Sequence, residues 1–172
     1  MRIFTIGHGT RSAEELIACL REAEVETLVD VRRFPASRRN PQFNLGPLAD
    51  VLEGAAIGYR HAVELGGRRG GEPGEEEFAC IRTAAFRAYA AWMRRADWQD
   101  ALALALGERV PCLMCAETPW TRCHRRLIAE LLHARGHEVV HLVRPGESCP
   151  HRPVQEAETV KGKLYLCGKL VA

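Results

Sequence analysis

The chain has 172 residues, of which 47% are hydrophobic and 27% are charged, and its formal net charge is +2. This composition is ordinary for one globular domain with a substantial core, and it argues against disorder. No apolar stretch reaches the roughly 18 residues that a membrane span requires, so no role in a membrane is expected. The N-terminus runs directly into a strand-like pattern and lacks the architecture of a signal peptide. We therefore expect a cytoplasmic protein whose seven cysteines are reduced thiols.

Predicted strands and helices alternate along the chain. The apolar patterns predict strands over 2–8, 26–31, 57–61, 110–114 and 138–142. They predict helices over 12–23, 47–52, 75–95, 98–106 and 122–135. The first helix opens with a capping box from Ser12 to Glu15, and Gly136 marks the end of the last. Residues 145–172 form a C-terminal extension with one candidate strand over 163–170.

Buried strands separated by helices predict an α/β fold. We expect a single domain over 1–172, with a mostly parallel sheet and helices on both faces. The carboxyl ends of parallel strands meet at one edge of the sheet, where open α/β proteins bind their ligands. Several reactive side chains follow the predicted strands: His8, Asp30, Arg32, Tyr59, His61, Cys115 and Glu117. The topology therefore predicts that they share one crevice.

The segment from Cys115 to Arg125 carries the highest density of reactive groups. Its eleven residues include two thiols, a carboxylate, an imidazole and two guanidinium groups, between a predicted strand and a predicted helix. A helix N-terminus attracts anions through its free N–H groups and its dipole. We expect His124 and Arg125, which begin this helix, to bind an anionic group.

A second segment, 31–49, has four Arg residues and no Asp or Glu. Such a local positive field attracts phosphate or carboxylate groups. Arg32 and Arg38 are therefore predicted anion ligands, together with Tyr59 and His61 from the next strand. The alternative is an Arg-rich loop that pairs with carboxylates elsewhere in the fold.

Five motifs in order carry a resemblance to a known family. They are Thr5–His8, Asp30–Arg38, Phe43–Asn44, Gly58–Gly67 and Cys115–Arg125. Together they resemble the signature of the DUF488 family, over a region from the first strand to about His141. The resemblance implies the α/β fold and an enzyme-like pocket, and it names no reaction. Gly9 stands where members of the family often carry Ser.

Three side chains are candidates for chemistry, and each has an alternative role. Cys115 is a candidate nucleophile, or a buried residue that fills the strand. Glu117 is a candidate general acid or base, or the partner of Arg122 or Arg125 in an ion pair. His8 is a candidate proton carrier, or a side chain that hydrogen-bonds the backbone.

Zinc is an alternative interpretation of the cysteines. Cys112, Cys115, Cys123 and His124 superficially supply four ligands. Residues three apart in a strand, however, point to opposite faces, so chelation of one ion by both Cys112 and Cys115 would require the strand to break at Leu113. The sequence therefore predicts neither a metal nor another cofactor, and Cys123 is expected to pack beneath the turn.

The favoured function is an enzyme acting on an anionic small molecule, phosphorylated or of the nucleotide type. His8, Cys115 and Glu117 are its predicted catalytic residues, and the Arg residues are its clamps. The first alternative is a nucleic-acid-binding module that places the loops around 32–39 and 68–69 against phosphates. The second is a protein whose crevice is structural or senses a metabolite.

Overall fold

The computed structural model describes residues 1–172 and contains a mixed, mostly parallel sheet of six strands. Its first five strands run parallel in the order β3-β2-β4-β1-β5, and β6 pairs antiparallel with β5. Their bounds are β1 Arg2–Gly7, β2 Thr27–Asp30, β3 Gly58–His61, β4 Pro111–Cys115, β5 Glu138–Arg144 and β6 Glu147–Pro150. The predicted α/β fold with a mostly parallel sheet is confirmed.

Five α-helices connect or follow these strands: α1 Ala13–Glu22, α2 Leu45–Gly54, α3 Ala84–Trp92, α4 Ala96–Leu106 and α5 Arg125–Ala134. The capping box at the start of α1 is present, with Ser12 Oγ accepting from the Glu15 N–H and Glu15 Oε2 accepting from the Ser12 N–H. It fixes the start of this helix by satisfying two N–H groups that the helix leaves free.

The long helix predicted over 75–95 is wrong in its first half. A short 3-10 helix, Glu75–Phe78, is followed by a break, and α3 begins only at Ala84. Phe78 and Tyr89 are buried in the same apolar cluster, and Ile81 packs against it. The spacing of the apolar residues therefore reflects burial in one core. Two separate segments contribute to that core, and no continuous helix joins them.

Alternate residues of the strands contribute to two separate apolar clusters. One cluster contains Phe4 and Cys112 with side chains of α1 and α2, and the other contains Ile3 and Cys115 with side chains of α3, α4 and α5. Successive strand residues point to opposite faces, which explains the division. Cys112 and Cys115 lie in different clusters, as their spacing along a strand predicts.

The C-terminal extension forms a second sheet of three antiparallel strands, β7 Ala157–Val160, β8 Lys163–Leu166 and β9 Lys169–Leu170. The candidate strand over 163–170 is thus two strands joined by a turn at Cys167 and Gly168, both with positive φ. Leu164 and Leu166 pack in the larger apolar cluster beside α5.

One disulfide joins Cys80 to Cys167 and ties the break before α3 to the small sheet. The expectation that all seven cysteines are reduced is therefore wrong for these two. Their sequence separation of 87 residues gives no local sign of the pairing. No helix has the length and apolar character needed to cross a membrane. The cytoplasmic location and the assignment of the whole chain to one domain stay predictions.

Candidate functional site

A cavity of about 620 Å³ lies at the carboxyl edge of the six-stranded sheet. The strand register brings the ends together: Gly7 is paired with Cys115, and Asp30 with Met114 and His61. The lining of the cavity includes residues that follow β1, β2 and β4. Five of the lining residues are arginines and one is acidic: Arg32, Arg33, Arg39, Arg68 and Arg122, with Glu117. The cavity therefore has an excess of positive charge.

Arg32 is held rigidly against Asp30. Its Nε donates to Asp30 Oδ1 at 2.8 Å and its Nη2 to Asp30 Oδ2 at 2.6 Å, while Tyr59 Oη donates to Asp30 Oδ2 at 2.9 Å. Both members of the ion pair are buried, with side chains 6% and 0% exposed. A bidentate pair of this kind fixes the guanidinium geometry, and the carboxylate offsets its charge. Arg32 therefore contributes shape and hydrogen-bond direction to the cavity more than net charge.

His8 is neutral and has a defined tautomer. Arg32 Nη1 can only donate, so His8 Nε2 accepts its hydrogen bond at 3.2 Å. The proton consequently lies on Nδ1, which donates to the Gly9 carbonyl oxygen at 2.9 Å. The ring also stacks on Phe43, with 4.4 Å between centroids. Burial lowers the pKa of His8 to about 4, and the positive charge of Arg32 contributes in the same direction.

Arg125 lies beneath the cavity and is 1% exposed. Its Nε donates to Cys115 Sγ at 2.9 Å and its Nη1 to Thr5 Oγ1 at 3.1 Å. Its Nη2 donates to the carbonyl oxygens of Glu117 and Thr118. No carboxylate contacts this buried guanidinium. Arg125 therefore fixes the loop after β4, and it does not line the cavity as an anion ligand.

Cys123 and His124 form a pair at the start of α5. Cys123 Sγ lies 3.4 Å from His124 Nδ1 and accepts from the Arg125 backbone N–H at 3.5 Å. His124 Nε2 donates to the Val31 carbonyl oxygen at 2.9 Å, which leaves Nδ1 free to share a proton with the thiol. Both residues line the cavity, as Cys115 does. The expectation that Cys123 only packs beneath the turn missed this imidazole contact.

The close approach of the loop 116–119 to β1 depends on glycine. A Cβ at position 7 would overlap the Glu117 carbonyl oxygen and lie 2.8 Å from Arg125 Nη2. At position 9, a Cβ would overlap the hydroxyl of Thr118. The space that a Ser side chain would need at position 9 is therefore filled by the Thr118 hydroxyl in this chain.

A buried polar chain extends from Arg125 across β1 and β5, on the face of the sheet that α5 covers. Thr5 Oγ1 accepts from Arg125 Nη1 and shares a hydrogen bond with His141 Nδ1 at 2.7 Å, and His141 Nε2 shares another with His151 Nδ1 at 3.1 Å. His151 Nε2 faces Glu130 Oε1 at 3.4 Å. Burial, with the charges of His151 and Arg125, lowers the pKa of His141 to about 3. These buried hydrogen bonds link Arg125 through Thr5 to the two histidines and help to hold the guanidinium in place.

Apart from Arg38, the predicted site residues divide into two groups. His8, Arg32, Cys115, Glu117 and His124 line the cavity. Tyr59, His61 and Arg125 do not line it; they contact the residues that do, through the Asp30 carboxylate, the Arg32 carbonyl and the Cys115 thiol respectively.

Two further predictions, for Arg38 and Glu117, are wrong because of the conformation of the loops that carry them. Arg38 is exposed and lies outside the lining, where its neighbour Arg39 takes the predicted place. Glu117 has an exposed side chain and makes no ion pair with Arg122 or Arg125, since Arg125 binds its backbone carbonyl oxygen instead. The conformation of an irregular loop leaves no periodic pattern in the sequence, so the positions of these two side chains could not be predicted from it.

Sequence reasoning missed Thr5, His141, His151 and Glu130. Thr5 and His141 are paired residues of neighbouring strands, 136 positions apart along the chain. Polar residues inside predicted buried strands were the available signal, because a buried polar group needs a partner.

The family described as "Domain of unknown function DUF488" matches residues 12–132 of the chain. No curated protein and no solved structure matches the chain.

Proposed function

The chain belongs to the DUF488 family, and from the geometry of its cavity we propose that it is an enzyme acting on an anionic small molecule, phosphorylated or of the nucleotide type. The observation that carries the proposal is the excess of arginine over acidic residues in the cavity lining. Guanidinium groups bind phosphate and carboxylate through paired N–H groups, and they retain their charge at every physiological pH.

The cavity also has the size that a small-molecule site requires. Its volume of about 620 Å³ lies within the range of pockets that bind small ligands. Helices α1 and α2 contribute to one apolar cluster, and α3 to α5 contribute to the other. We infer that helices cover both faces of the sheet and leave its carboxyl edge for the substrate.

The groups suited to chemistry share this cavity. The thiols of Cys115 and Cys123, the imidazole of His124 and the exposed carboxylate of Glu117 all belong to its lining. His8 has both ring nitrogens engaged and a pKa far below neutrality, so we assign it to positioning Arg32. Proton transfer falls to His124 and Glu117.

Ligand-dependent stabilisation tests the proposal. Inorganic phosphate or a nucleoside diphosphate should raise the thermal midpoint in a saturable way, by mass action. Arg39→Ala removes a lining guanidinium and should weaken this binding about tenfold to a hundredfold, since a charge-assisted hydrogen bond is worth about 1.5–3 kcal/mol. Arg38→Ala is the matched control, because Arg38 is exposed and lies outside the lining.

Two results would contradict the proposal. Equal losses from both substitutions would indicate nonspecific charge screening. The absence of any shift with phosphate, nucleotide or a short oligonucleotide would remove the anion site altogether. Stabilisation by the oligonucleotide alone, with a steep dependence on salt, would favour the nucleic-acid-binding alternative.

A further inference from the structure

Two free thiols lie on either side of the loop 116–122 and line the same cavity. Cys115 ends β4, and Cys123 comes just before α5. Arg125 contacts both sulfurs, through its Nε with Cys115 Sγ at 2.9 Å and through its backbone N–H with Cys123 Sγ at 3.5 Å. Each thiol also shifts the pKa of the other. The site therefore contains a dithiol, and its members are not equivalent.

The surroundings of Cys123 favour a thiolate. It lies at the N-terminus of the ten-residue helix α5, where N–H groups and the helix dipole stabilise negative charge. Burial opposes ionisation, but the hydrogen bond from Cys115 and the positive charges of His124 and Arg125 hold the pKa of Cys123 well below its ordinary value.

The surroundings of Cys115 favour the protonated thiol. Burial and the hydrogen bond with Cys123 raise the pKa of Cys115 well above its ordinary value. Its sulfur accepts N–H groups from Arg125 and from the Glu117 backbone, at 2.9 and 3.3 Å. The N–H groups fix its position, and its own proton stays available. The pair thus consists of one reactive sulfur and one sulfur held in reserve beside it.

We propose that Cys123 is the nucleophile and Cys115 the resolving thiol of a thiol–disulfide exchange, in which the substrate is a disulfide that carries anionic groups. This inference rests on the proposed function, because the lining arginines supply the selection for negative charge. It differs from the sequence expectation, in which Cys115 was the candidate nucleophile and Cys123 packed beneath the turn.

The exchange balances in two steps. The Cys123 thiolate attacks one substrate sulfur; a Cys123–substrate bond forms, the substrate S–S bond breaks, and the released thiolate takes the proton of the His124 imidazolium. Cys115 then gives its proton to the second leaving thiolate as its sulfur attacks Cys123 Sγ. A Cys115–Cys123 disulfide forms, so the dithiol loses two electrons and the substrate becomes two thiols.

The test uses the full chain with both thiols reduced. Three disulfides at equal concentration serve as probes: coenzyme A disulfide, which carries phosphates; glutathione disulfide, which carries carboxylates; and uncharged 2-hydroxyethyl disulfide. Peptide mapping by mass spectrometry should find a Cys115–Cys123 bond, distinct from the Cys80 disulfide, formed at least tenfold faster with one of the anionic probes. A faster reaction with coenzyme A disulfide assigns a phosphorylated substrate, and a faster reaction with glutathione disulfide assigns a carboxylated one.

Matched variants assign the roles of the sulfurs. Cys115→Ser should trap a mixed disulfide between Cys123 and the substrate. In Cys123→Ser, any adduct at Cys115 should form more slowly than the wild-type protein reacts. Cys112→Ser is the control, because Cys112 is buried in the same strand on the opposite face of the sheet. If a variant does not fold, iodoacetamide labelling of the wild type replaces it, with Cys123 alkylated before Cys115 at pH 6.

Several outcomes would overturn the inference. They are adduct formation on Cys115 in place of Cys123, no Cys115–Cys123 bond with any probe, and equal rates for the charged and uncharged disulfides. Stabilisation by phosphate or nucleotide needs neither thiol. If that stabilisation persists while the dithiol is inert, only this inference fails and the proposed function stands.

Discussion

Replacing Arg125 with Met removes a buried cation while it preserves most of the side-chain volume. Arg125 is 1% exposed and donates to one sulfur, one hydroxyl and two carbonyl oxygens. Removal of one partner from a buried charged network costs about 3–5 kcal/mol, because the remaining acceptors stay buried without a donor. In a chain of this length, each kcal/mol shifts the thermal midpoint by about 2–4 °C. We expect Arg125→Met to lower the midpoint by roughly 10 °C.

The adjacent residue offers a matched control for this substitution. Arg126 has a side chain that is 27% exposed, and its one ion pair, to Glu156, spans 3.7 Å. Arg126→Met should cost less than about 1 kcal/mol, as is usual for ion pairs near the surface. Urea and thermal unfolding of both variants measure the difference. Equal losses would refute the argument, because they would mean that the Arg125 contacts contribute no more than an exposed pair. Thiol labelling gives a second readout, since the loss of this charge should raise the pKa of Cys123.

Two other predictions concern pH and close packing. The folded pKa values of His8 and His141, about 4 and about 3, lie below the unfolded value of about 6.5, so the unfolded state binds more protons between them. The free energy of unfolding should therefore decrease as the pH falls from about 6.5 towards 4, by up to roughly 1.4 kcal/mol per pH unit for each histidine. His141→Asn should make the free energy of unfolding, measured with urea, less dependent on pH. An unchanged pH dependence would contradict the lowered pKa of His141. Gly7→Ala would force a Cβ onto the Glu117 carbonyl oxygen and should prevent accumulation of folded protein, whereas Gly46→Ala, in α2 with open space around it, should leave the thermal midpoint unchanged or slightly higher.

Local chemistry in the sequence determined the elements and the edge at which the site lies. The runs that became β1, β2 and β4 are short and mostly apolar, a pattern typical of buried parallel strands. The capping box at Ser12 identified the start of α1 because it satisfies helix N–H groups through neighbouring residues. Polar residues after these strands predicted the site for a related reason, since parallel strands bring their carboxyl ends to one edge.

Tertiary structure alone decided which of these residues face the cavity and what each one contacts. Arg38 and Arg39 are adjacent in an irregular loop, and only the path of the backbone selects Arg39 for the lining. The partners of Arg125 come from β1, from β4 and from the loop after it, so its burial depends on strand order and register. The pairing of Cys80 with Cys167 likewise spans 87 residues. Sequence patterns reflect interactions between residues that are near neighbours along the chain. Burial and the hydrogen bonds of the site depend on distances in space, and these distances are fixed only when distant segments pack together.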